Sequence, residues 1–519
     1  MELVKKKIRT NMLGKTVVDQ FMIDDDYNVP DSKNDVGRVV SGEGTIKIEE
    51  IKRVENYLRV TGKLYFKALY VTDEGEPRLS SLDGKMPFEE MIYMEEETEG
   101  EYVVQVGRVE FTASVIHSRK LSLKAVVELT VHTERGADEE TTVDVDSGKT
   151  LYKKQRPLEL LQLHTNKRDI YRIKEEITIP GTKENIGTLL WTDVSSRKMD
   201  TKLGQDALFI RGELLVFCFY ESQDGKTDWV EQVVPYEGRV ECMGADESLY
   251  HHVYDQLGDI NVEVRMDEDG EMRALGVEAT LDLRILIYEE ENIEILEDVY
   301  ALDEECMPQK RPTVYEELIM QNHSKCKVTE QLNLPELKEE ILQICHTGGS
   351  LQVEHMEVVP EGIQIDGVLH VNFLYVKAND AVPFDMWSGM IPFSYLLESG
   401  KTCDDMRYDI TYAVEQLSVG LSGSDEVEIK AVLTFKSFLR SPVNTQVITD
   451  LEFHPFDENE MSQRPGIVGY IVKDGDDLWS LAKKYYTTMD GIMEINGLTS
   501  EDLKEGDKIL IFKENMSIL

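Results

Sequence analysis

The sequence predicts a mainly β protein with short helices, built as three tandem β-rich modules of the sandwich or barrel type followed by a small βααβ domain. Three observations lead to this fold class. The chain has 519 residues, which is too long for a single hydrophobic core. Apolar and polar residues alternate with a period of two over long stretches, as in half-buried strands. The same landmarks also recur three times along the chain.

The repeat consists of landmarks at nearly constant spacing. Each copy begins with a Pro-x-x-Lys segment, and a glycine within a predicted strand follows that proline by 32 residues. A tyrosine stands eight residues beyond each glycine, and a Pro-aromatic pair comes next. The landmarks are Pro30, Gly62, Tyr70 and Pro87-Phe88 in the first copy, Pro180, Gly212, Tyr220 and Pro235-Tyr236 in the second, and Pro335, Gly367, Tyr375 and Pro392-Phe393 in the third. Because an active site is seldom needed three times, the repetition indicates maintenance of a fold.

An Arg-Pro dipeptide closes each copy and suggests the module boundaries. The three pairs are Arg156-Pro157, Arg311-Pro312 and Arg464-Pro465. Proline lacks an amide donor, so we expect it to interrupt a continuing strand. The predicted modules are therefore residues 1–157, 158–312 and 313–465, and the C-terminal domain is residues 466–519.

Within each module, the pattern predicts strands with one short helix near the start. Strands are expected at 60–70 around Gly62 and at 103–115, 121–131, 276–288 and 428–438. A glycine inside such a strand indicates a bulge or a close approach of another backbone segment, which a side chain would block. After each Pro-x-x-Lys, good helix formers such as those at 338–344 follow a proline of the kind found at the first helical position, which predicts a short helix.

The C-terminal segment predicts a strand, two helices and a closing strand. Residues 468–472 alternate as a short strand, and Asp476 or Asp477 can cap a helix after the polar turn. In that helix Leu478, Leu481, Ala482 and Tyr485 form one apolar stripe. A second helix over 490–495 ends at Asn496-Gly497, and residues 508–512 supply the closing strand.

This segment resembles the LysM domain family. The resemblance rests on Tyr470, Gly475, Asp476, Leu478, Trp479, Ala482, Asn496, Leu503, Gly506 and Ile509. It implies binding of peptidoglycan or other N-acetylglucosamine polymers through the loops at 474–478 and 498–504. The sequence departs from the family at Asp477, where LysM domains frequently have Thr or Ser after Gly-Asp.

The residues predicted to bind a partner or a glycan lie in and around the first LysM helix. They are Asp474, Gly475, Asp476, Asp477, Leu478, Trp479, Tyr486 and Asn496. Trp479 and Tyr486 fall beside the apolar stripe, and an exposed aromatic pair at these positions would anchor an interface. The alternative is that Trp479 packs on the edge of the domain, because tryptophan is common in both settings.

The three repeats resemble the SPOCS domain family of spore-forming Firmicutes. The Pro-x-x-Lys start, the G-(x7)-Y strand and the terminal LysM-like domain carry this resemblance. It implies a spore-coat morphogenetic protein that acts in the cytoplasm of the mother cell, at the forespore surface. It also implies that the LysM domain docks the spore-coat morphogenetic ATPase and so tethers the coat.

Composition narrows the partners. The net charge of −44 repels phosphate backbones and anionic headgroups, so we expect no nucleic-acid partner and no direct membrane insertion, and favour a basic partner.

The N-terminus shows no secretory signal, and the densest apolar run, 214–220, is too short to span a bilayer. The six cysteines have no paired spacing and are expected to be reduced, mostly buried thiols.

No catalytic constellation stands out, and the sequence predicts a non-enzymatic protein without cofactor or metal. It contains no Gly-rich phosphate loop, no G-x-S-x-G elbow and no H-E-x-x-H motif. The adjacent His251 and His252 would face opposite ways in an extended strand. Two alternatives stay open: a structural protein that binds peptidoglycan in the wall or cortex, and, ranked below it, a wall hydrolase with a carboxylate pair among its 100 acidic residues.

Overall fold

The first module consists of seven antiparallel strands in two sheets. The computed structural model describes residues 2–73, 78–95, 100–335, 341–377, 384–423, 426–457 and 465–513. The strands are β1 (Glu2–Leu13), β2 (Val17–Asn28), β3 (Val36–Val54), β4 (Tyr57–Thr72), β5 (Leu79–Tyr93), β6 (Glu101–His117) and β7 (Lys120–Asp146). One sheet has the order β3-β4-β5, and in the other β7 pairs with β1, β2 and β6. Both sheets contribute to one hydrophobic core.

The second and third modules repeat this arrangement, with one long strand in place of β1 and β2. The second contains β8 (Tyr152–Thr178), β9 (Ile186–Gly204), β10 (Ala207–Ser222), β11 (Thr227–Glu241), β12 (Tyr250–Arg265) and β13 (Ala274–Tyr300). The third contains β14 (Glu305–Asn333), β15 (Ile341–Val359), β16 (Gly362–Lys377), β17 (Phe384–Glu398), β18 (Arg407–Leu421) and β19 (Glu426–His454). Their sheets have the orders β11-β10-β9, β12-β13-β8, β15-β16-β17 and β14-β19-β18, and each module has its own core. The mainly β fold class is confirmed, as are the strands predicted within β4, β6, β7, β13 and β19.

The C-terminal domain contains the two helices of the described chain. Its elements are β20 (Ile467–Ile471), α1 (Leu478–Tyr485), α2 (Met489–Asn496) and β21 (Lys508–Phe512). β20 and β21 pair antiparallel, and α1 and α2, which lie between them in sequence, pack on one face of this two-stranded sheet. The predicted order of strand, helix, helix and strand is confirmed.

The repeated glycine allows an aromatic ring on the neighbouring strand to lie directly against the backbone. Gly62 lies directly across from Phe88, Gly212 from Tyr236 and Gly367 from Phe393, so the repeated Pro-aromatic pair supplies the ring. A Cβ atom on Gly62 would lie 2.3 Å from the carbonyl oxygen of Lys47, far inside a normal contact. The ladder beside each glycine is also shifted by a bulge. The predicted bulge is thus confirmed, and the predicted close backbone approach is confirmed at Gly62, whereas the nearest atoms at Gly212 belong to the Tyr236 side chain.

The short helix predicted near the start of each module is wrong for the described residues. After Pro30 and Pro180 the chain makes a turn and then enters β3 and β9. In the third module residues 341–344 belong to β15, while 338–340 lie outside the described residues. The repeated tyrosines explain the turn, since Tyr70 Oη donates to the Asn34 carbonyl at 3.1 Å and Tyr220 Oη to that of Glu184 at 3.4 Å. Strand pairing beyond the turn then overrides the helix propensity of the segment.

The prolines at the predicted boundaries do not interrupt the chain's long strands. β8 runs through Pro157 and β14 through Pro312, so the expected break is wrong at both places. β8 and β14 are edge strands of their sheets, where a missing amide donor can face away from the ladder. Arg464 lies outside the described residues, and the module boundaries themselves stay predictions.

The long strands extend beyond the module cores and form three two-stranded arms. The arms pair residues 2–13 with 134–146, 152–163 with 288–300, and 305–318 with 440–454. Their apolar side chains pack together in shared clusters that draw on all three modules. The three modules are therefore joined through a common apolar junction and not only through single-chain linkers.

A buried arginine stabilises the junction between the second and third modules. Arg440 on β19 is 1% exposed and donates to Glu316 at 3.0 Å, to Asp409 at 2.6 Å and to Tyr288 of the second module at 3.3 Å. Burial opposes the charge on Arg440, but Tyr288, Asp409 and Glu316 outweigh it and hold the arginine pKa above its usual value. Tyr254 also donates to Asp409, so the second module contributes two tyrosines to this cluster.

A second apolar cluster, which we call the hub, joins the three modules. It is formed by the sheets β3-β4-β5, β11-β10-β9 and β15-β16-β17. It contains Leu69, Val71, Leu79, Leu190, Trp191, Phe217, Phe219, Cys345, Leu374 and Phe384. At its border, His346 of the third module stacks on Phe217 and lies 2.9 Å from Glu231 and 2.8 Å from Asp193, both in the second module. Burial disfavours the charged imidazole, but the two carboxylates outweigh it and raise the pKa of His346.

Two further expectations concern cysteines and membrane-spanning helices. All six cysteines are free thiols, and Cys218, Cys242, Cys306 and Cys345 are buried, which confirms the expectation of mostly buried thiols. Among the helices that the structure describes, none has the length and apolar character needed to cross a bilayer.

Candidate functional site

The turn after β20 is held by Asp476, one of the three predicted aspartates. Asp476 accepts a hydrogen bond from Tyr470 Oη at 2.9 Å and from the Lys473 amide at 2.8 Å. These bonds favour the ionised carboxylate and lower its pKa. Asp474 and Gly475 form the exposed tip of the turn, with Gly475 at a φ of 82° that glycine adopts easily.

Asp477 caps the first helix, as predicted for this position. It has an extended backbone and accepts from the Ser480 amide at 2.9 Å, a bond that satisfies a free donor of the first turn. Its other oxygen accepts from Lys154 of the second module at 3.2 Å. The charge that replaces the family's hydroxyl thus serves both as a helix cap and in an ion pair to another module.

Leu478 and Trp479 are both buried, but in different surroundings. Leu478 is 1% exposed in the core of the domain. Trp479 is 8% exposed: its ring lies edge-on to Tyr300 at 4.9 Å, and Nε1 donates to Asp298 at 2.9 Å. The expectation of an exposed Trp479 is wrong, because the tryptophan packs on the arm of the second module; the alternative of packing at the domain edge agrees with the structure.

Tyr486 and Asn496 close the ends of the two helices. Tyr486 has a left-handed backbone at the end of α1, and its ring lies edge-on to Phe456 at 4.6 Å. The side-chain amide of Asn496 donates through Nδ2 to the backbone carbonyls of Ile492 and Leu510, and its Oδ1 accepts from the backbone N–H of Leu510. Asn496 thereby connects α2 to β21, and these contacts within the domain account for an asparagine at this position. Whether any of the eight predicted residues binds a partner stays a prediction.

The domain exposes an apolar surface that sequence reasoning missed. The face of the two-stranded β20–β21 sheet that points away from α1 and α2 is called the hairpin face below. It carries Ile467 (54% exposed), Ile471 (59%), Leu510 (48%) and Phe512 (37%). The signal is present in the sequence, because KILIF is apolar on both faces of a strand while α1 and α2 can cover only one of them.

The adjacent histidines lie in a strand and have surroundings typical of histidines with a structural role. His251 and His252 lie on β12. His251 is hydrogen-bonded to Thr201 at 3.0 Å, and burial lowers the pKa of His252 to about 4. Within the described part of the chain, no group of three or more His, Cys, Asp or Glu side chains is placed to hold a metal ion.

The fold and the C-terminal site define a tandem-repeat β protein that ends in a LysM-type domain. Residues 470–512 match the LysM domain model. Residues 35–117, 185–265 and 340–422 each match the SPOCS domain model of SipL, and these ranges cover β3–β6, β9–β12 and β15–β18. The chain therefore contains three SPOCS domains of the SipL type and one LysM domain, a combination that is consistent with a role in spore-coat morphogenesis. No curated protein and no solved structure gives a significant match.

Proposed function

We propose that the protein is a non-enzymatic scaffold of the spore coat, located in the mother-cell cytoplasm at the forespore surface, whose LysM domain docks the spore-coat morphogenetic ATPase. The observation that supports this most is the combination of three SPOCS domains with one LysM domain. A scaffold also suits the three modules, whose arms pack through shared apolar clusters.

The hairpin face is the surface of the LysM domain that best suits a protein partner. It joins four large apolar side chains on two paired strands, and interface centres are enriched in apolar and aromatic side chains. The opposite side of the domain is occupied by the second module through Trp479 and Asp477. We therefore assign partner docking to the hairpin face and not to Trp479, which is buried against the second module.

A pull-down from sporulating-cell lysate tests this assignment. The full chain is compared with Ile471→Asp, in which the new carboxylate lies across from Lys508 and so keeps a favourable cross-strand pair. The matched control is Met243→Asp, which changes an 85% exposed methionine of the second module. We expect the wild type and the control to recover the morphogenetic ATPase, identified by mass spectrometry, and Ile471→Asp to lose at least about tenfold of it.

Two outcomes contradict the proposal in different ways. Equal recovery by all three proteins would remove the hairpin face from the contact. Recovery by none of them would remove the ATPase as a direct partner of this chain.

A further inference from the structure

The first strand of the LysM domain has an open edge. β20 and β21 form a two-stranded sheet, so each of them pairs on one side only. The Lys513 amide donates to the Gly466 carbonyl at 3.1 Å, which fixes the hydrogen-bonding pattern of the ladder. Because hydrogen-bonded and non-hydrogen-bonded pairs alternate in an antiparallel ladder, the backbone N–H and C=O groups of Ile467, Gly469 and Ile471 point away from β21.

The corresponding edge of β21 is closed at its centre. The outward N–H and C=O groups of Leu510 are both bonded to the side-chain amide of Asn496, at 2.7 Å each. The contacts of the domain with the second module come from α1 and the residues next to it, and not from β20. Among the strands that the structure describes, none pairs with the outer edge of β20, so this edge is left for a further strand.

β20 lacks the features by which proteins commonly protect an edge strand. Such strands often carry charged side chains, a proline or a bulge. Of the strands that the structure describes, β20 alone contains no Asp, Glu, Lys or Arg. It contains no proline, and its pairing with β21 shows no register shift. Gly469 at its centre is exposed, and no described atom lies within 4 Å of a would-be Cβ there. Nothing on this strand therefore opposes the approach of another strand.

The sequence of β20 is complementary to itself. If two copies of the strand lie antiparallel with Gly469 opposite Gly469, Ile467 of one copy lies opposite Ile471 of the other. These are the positions whose N–H and C=O groups point outward, so each pair can exchange both of its N–H···O bonds. Paired residues lie on the same face of a sheet, so this register also brings apolar side chains of the two hairpin faces together.

Charge favours this edge over the rest of the surface for contact between two copies. The chain carries a net charge of −44, so acidic surfaces of two copies repel each other. β20 has no charge, and the charge beside it on the same face, Lys508 across from Ile471, is positive. We propose that two copies of the chain associate through antiparallel pairing of β20 about Gly469, which joins their hairpin faces into one continuous sheet surface. This association does not depend on the docking of the ATPase.

Sedimentation velocity of the full chain over a concentration series tests the association, at physiological salt because salt screens the net charge. Gly469→Pro removes an outward N–H and no hydrogen bond of the β20–β21 ladder. The matched control, Gly469→Ala, keeps this N–H and places its methyl group in open space. We expect the wild type and Gly469→Ala to dimerise, and Gly469→Pro to raise the dissociation constant at least about tenfold, since a hydrogen bond is lost in each copy.

A charge exchange tests the register and does not rely on the proline variant. Ile467→Lys/Ile471→Lys and Ile467→Asp/Ile471→Asp change two exposed side chains. Each variant alone would place like charges opposite each other and should stay a monomer, whereas a mixture of the two should form a heterodimer with Lys opposite Asp.

Three results would each overturn the proposal. They are a wild type that stays a monomer over the whole series, dimerisation of Gly469→Pro equal to that of the wild type, and a mixture of the charge variants without heterodimer. The ATPase is absent from these measurements, so their outcome is separate from that of the pull-down.

Discussion

Substitution of Gly212 by valine tests the repeated pairing of glycine with a ring. A Cβ atom at this position would lie 2.4 Å from Tyr236 Oη and 2.6 Å from Cζ, whereas carbon atoms in contact lie about 3.5–4.0 Å apart. The ring therefore has to move by about 1 Å or more. Tyr236 is 4% exposed and shares a hydrogen bond of 2.8 Å with Ser196, so the movement disturbs a packed and bonded side chain.

The expected cost has two parts. Overpacking of a core costs about 1–3 kcal/mol, and loss of the hydrogen bond to Ser196 adds about 1 kcal/mol. We expect Gly212→Val to lower the free energy of local unfolding in the second module by about 2–4 kcal/mol. Gly62→Val should cost more, because its Cβ meets the backbone carbonyl of Lys47 and not the end of a side chain.

Hydrogen exchange measured by mass spectrometry resolves the effect by module. Peptides from β10 and β11 should exchange faster in Gly212→Val, while those from β4 and β16 keep their wild-type rates. Gly420→Val is the matched control, because this strand glycine has no atom near its would-be Cβ. If β10 and β11 stay as protected as in the wild type, or if Gly420→Val loses as much protection, the packing explanation of the repeated glycine is refuted.

Two buried charged groups give further predictions. The raised pKa of His346 means that its contribution to stability is complete below its ordinary value of 6.5 and is lost as the pH rises through the raised value. The urea midpoint should therefore decrease as the pH rises above 6.5, and it should decrease less in His346→Gln; an equal pH dependence in both proteins contradicts this. Arg440→Met leaves the buried Asp409 without its arginine partner and removes the buried one of the two arginines on Glu316, which should cost about 3–5 kcal/mol. Arg407→Met removes the other arginine on Glu316, whose side chain is 47% exposed, and should cost under about 1 kcal/mol. Similar urea midpoints for the two arginine variants would refute the buried-charge explanation.

Local patterns predicted the strands and the LysM domain well, because both depend on short periodicities. The alternation around Gly62 and the apolar stripe of α1 each reflect burial within a few residues. The helix predicted over 338–344 is wrong at 341–344, because good helix formers there are outweighed by pairing with β16, a contact that propensity does not contain. The breaks at Pro157 and Pro312 were wrong because a proline's effect depends on whether its strand lies at an edge.

The candidate site was harder to predict, because it depends on contacts between distant segments. Trp479 has an amphipathic ring in a helix, and the sequence left its exposure undecided. Asp298 and Tyr300 decide it, yet they stand 181 and 179 residues away and share no motif with the LysM segment. The hairpin face could have been found in advance, since β21 is apolar on both sides.

The continuity of β13 has a mechanical consequence. This strand begins in the core of the second module and ends at Tyr300, directly beneath the LysM domain. Trp479, Lys483 and Thr487 of the LysM domain are hydrogen-bonded to this end of β13, whereas the chain enters the domain from β19 of the third module. The LysM domain is therefore attached at two points that belong to different modules, and a break in the contacts with β13 alone leaves the covalent attachment in place.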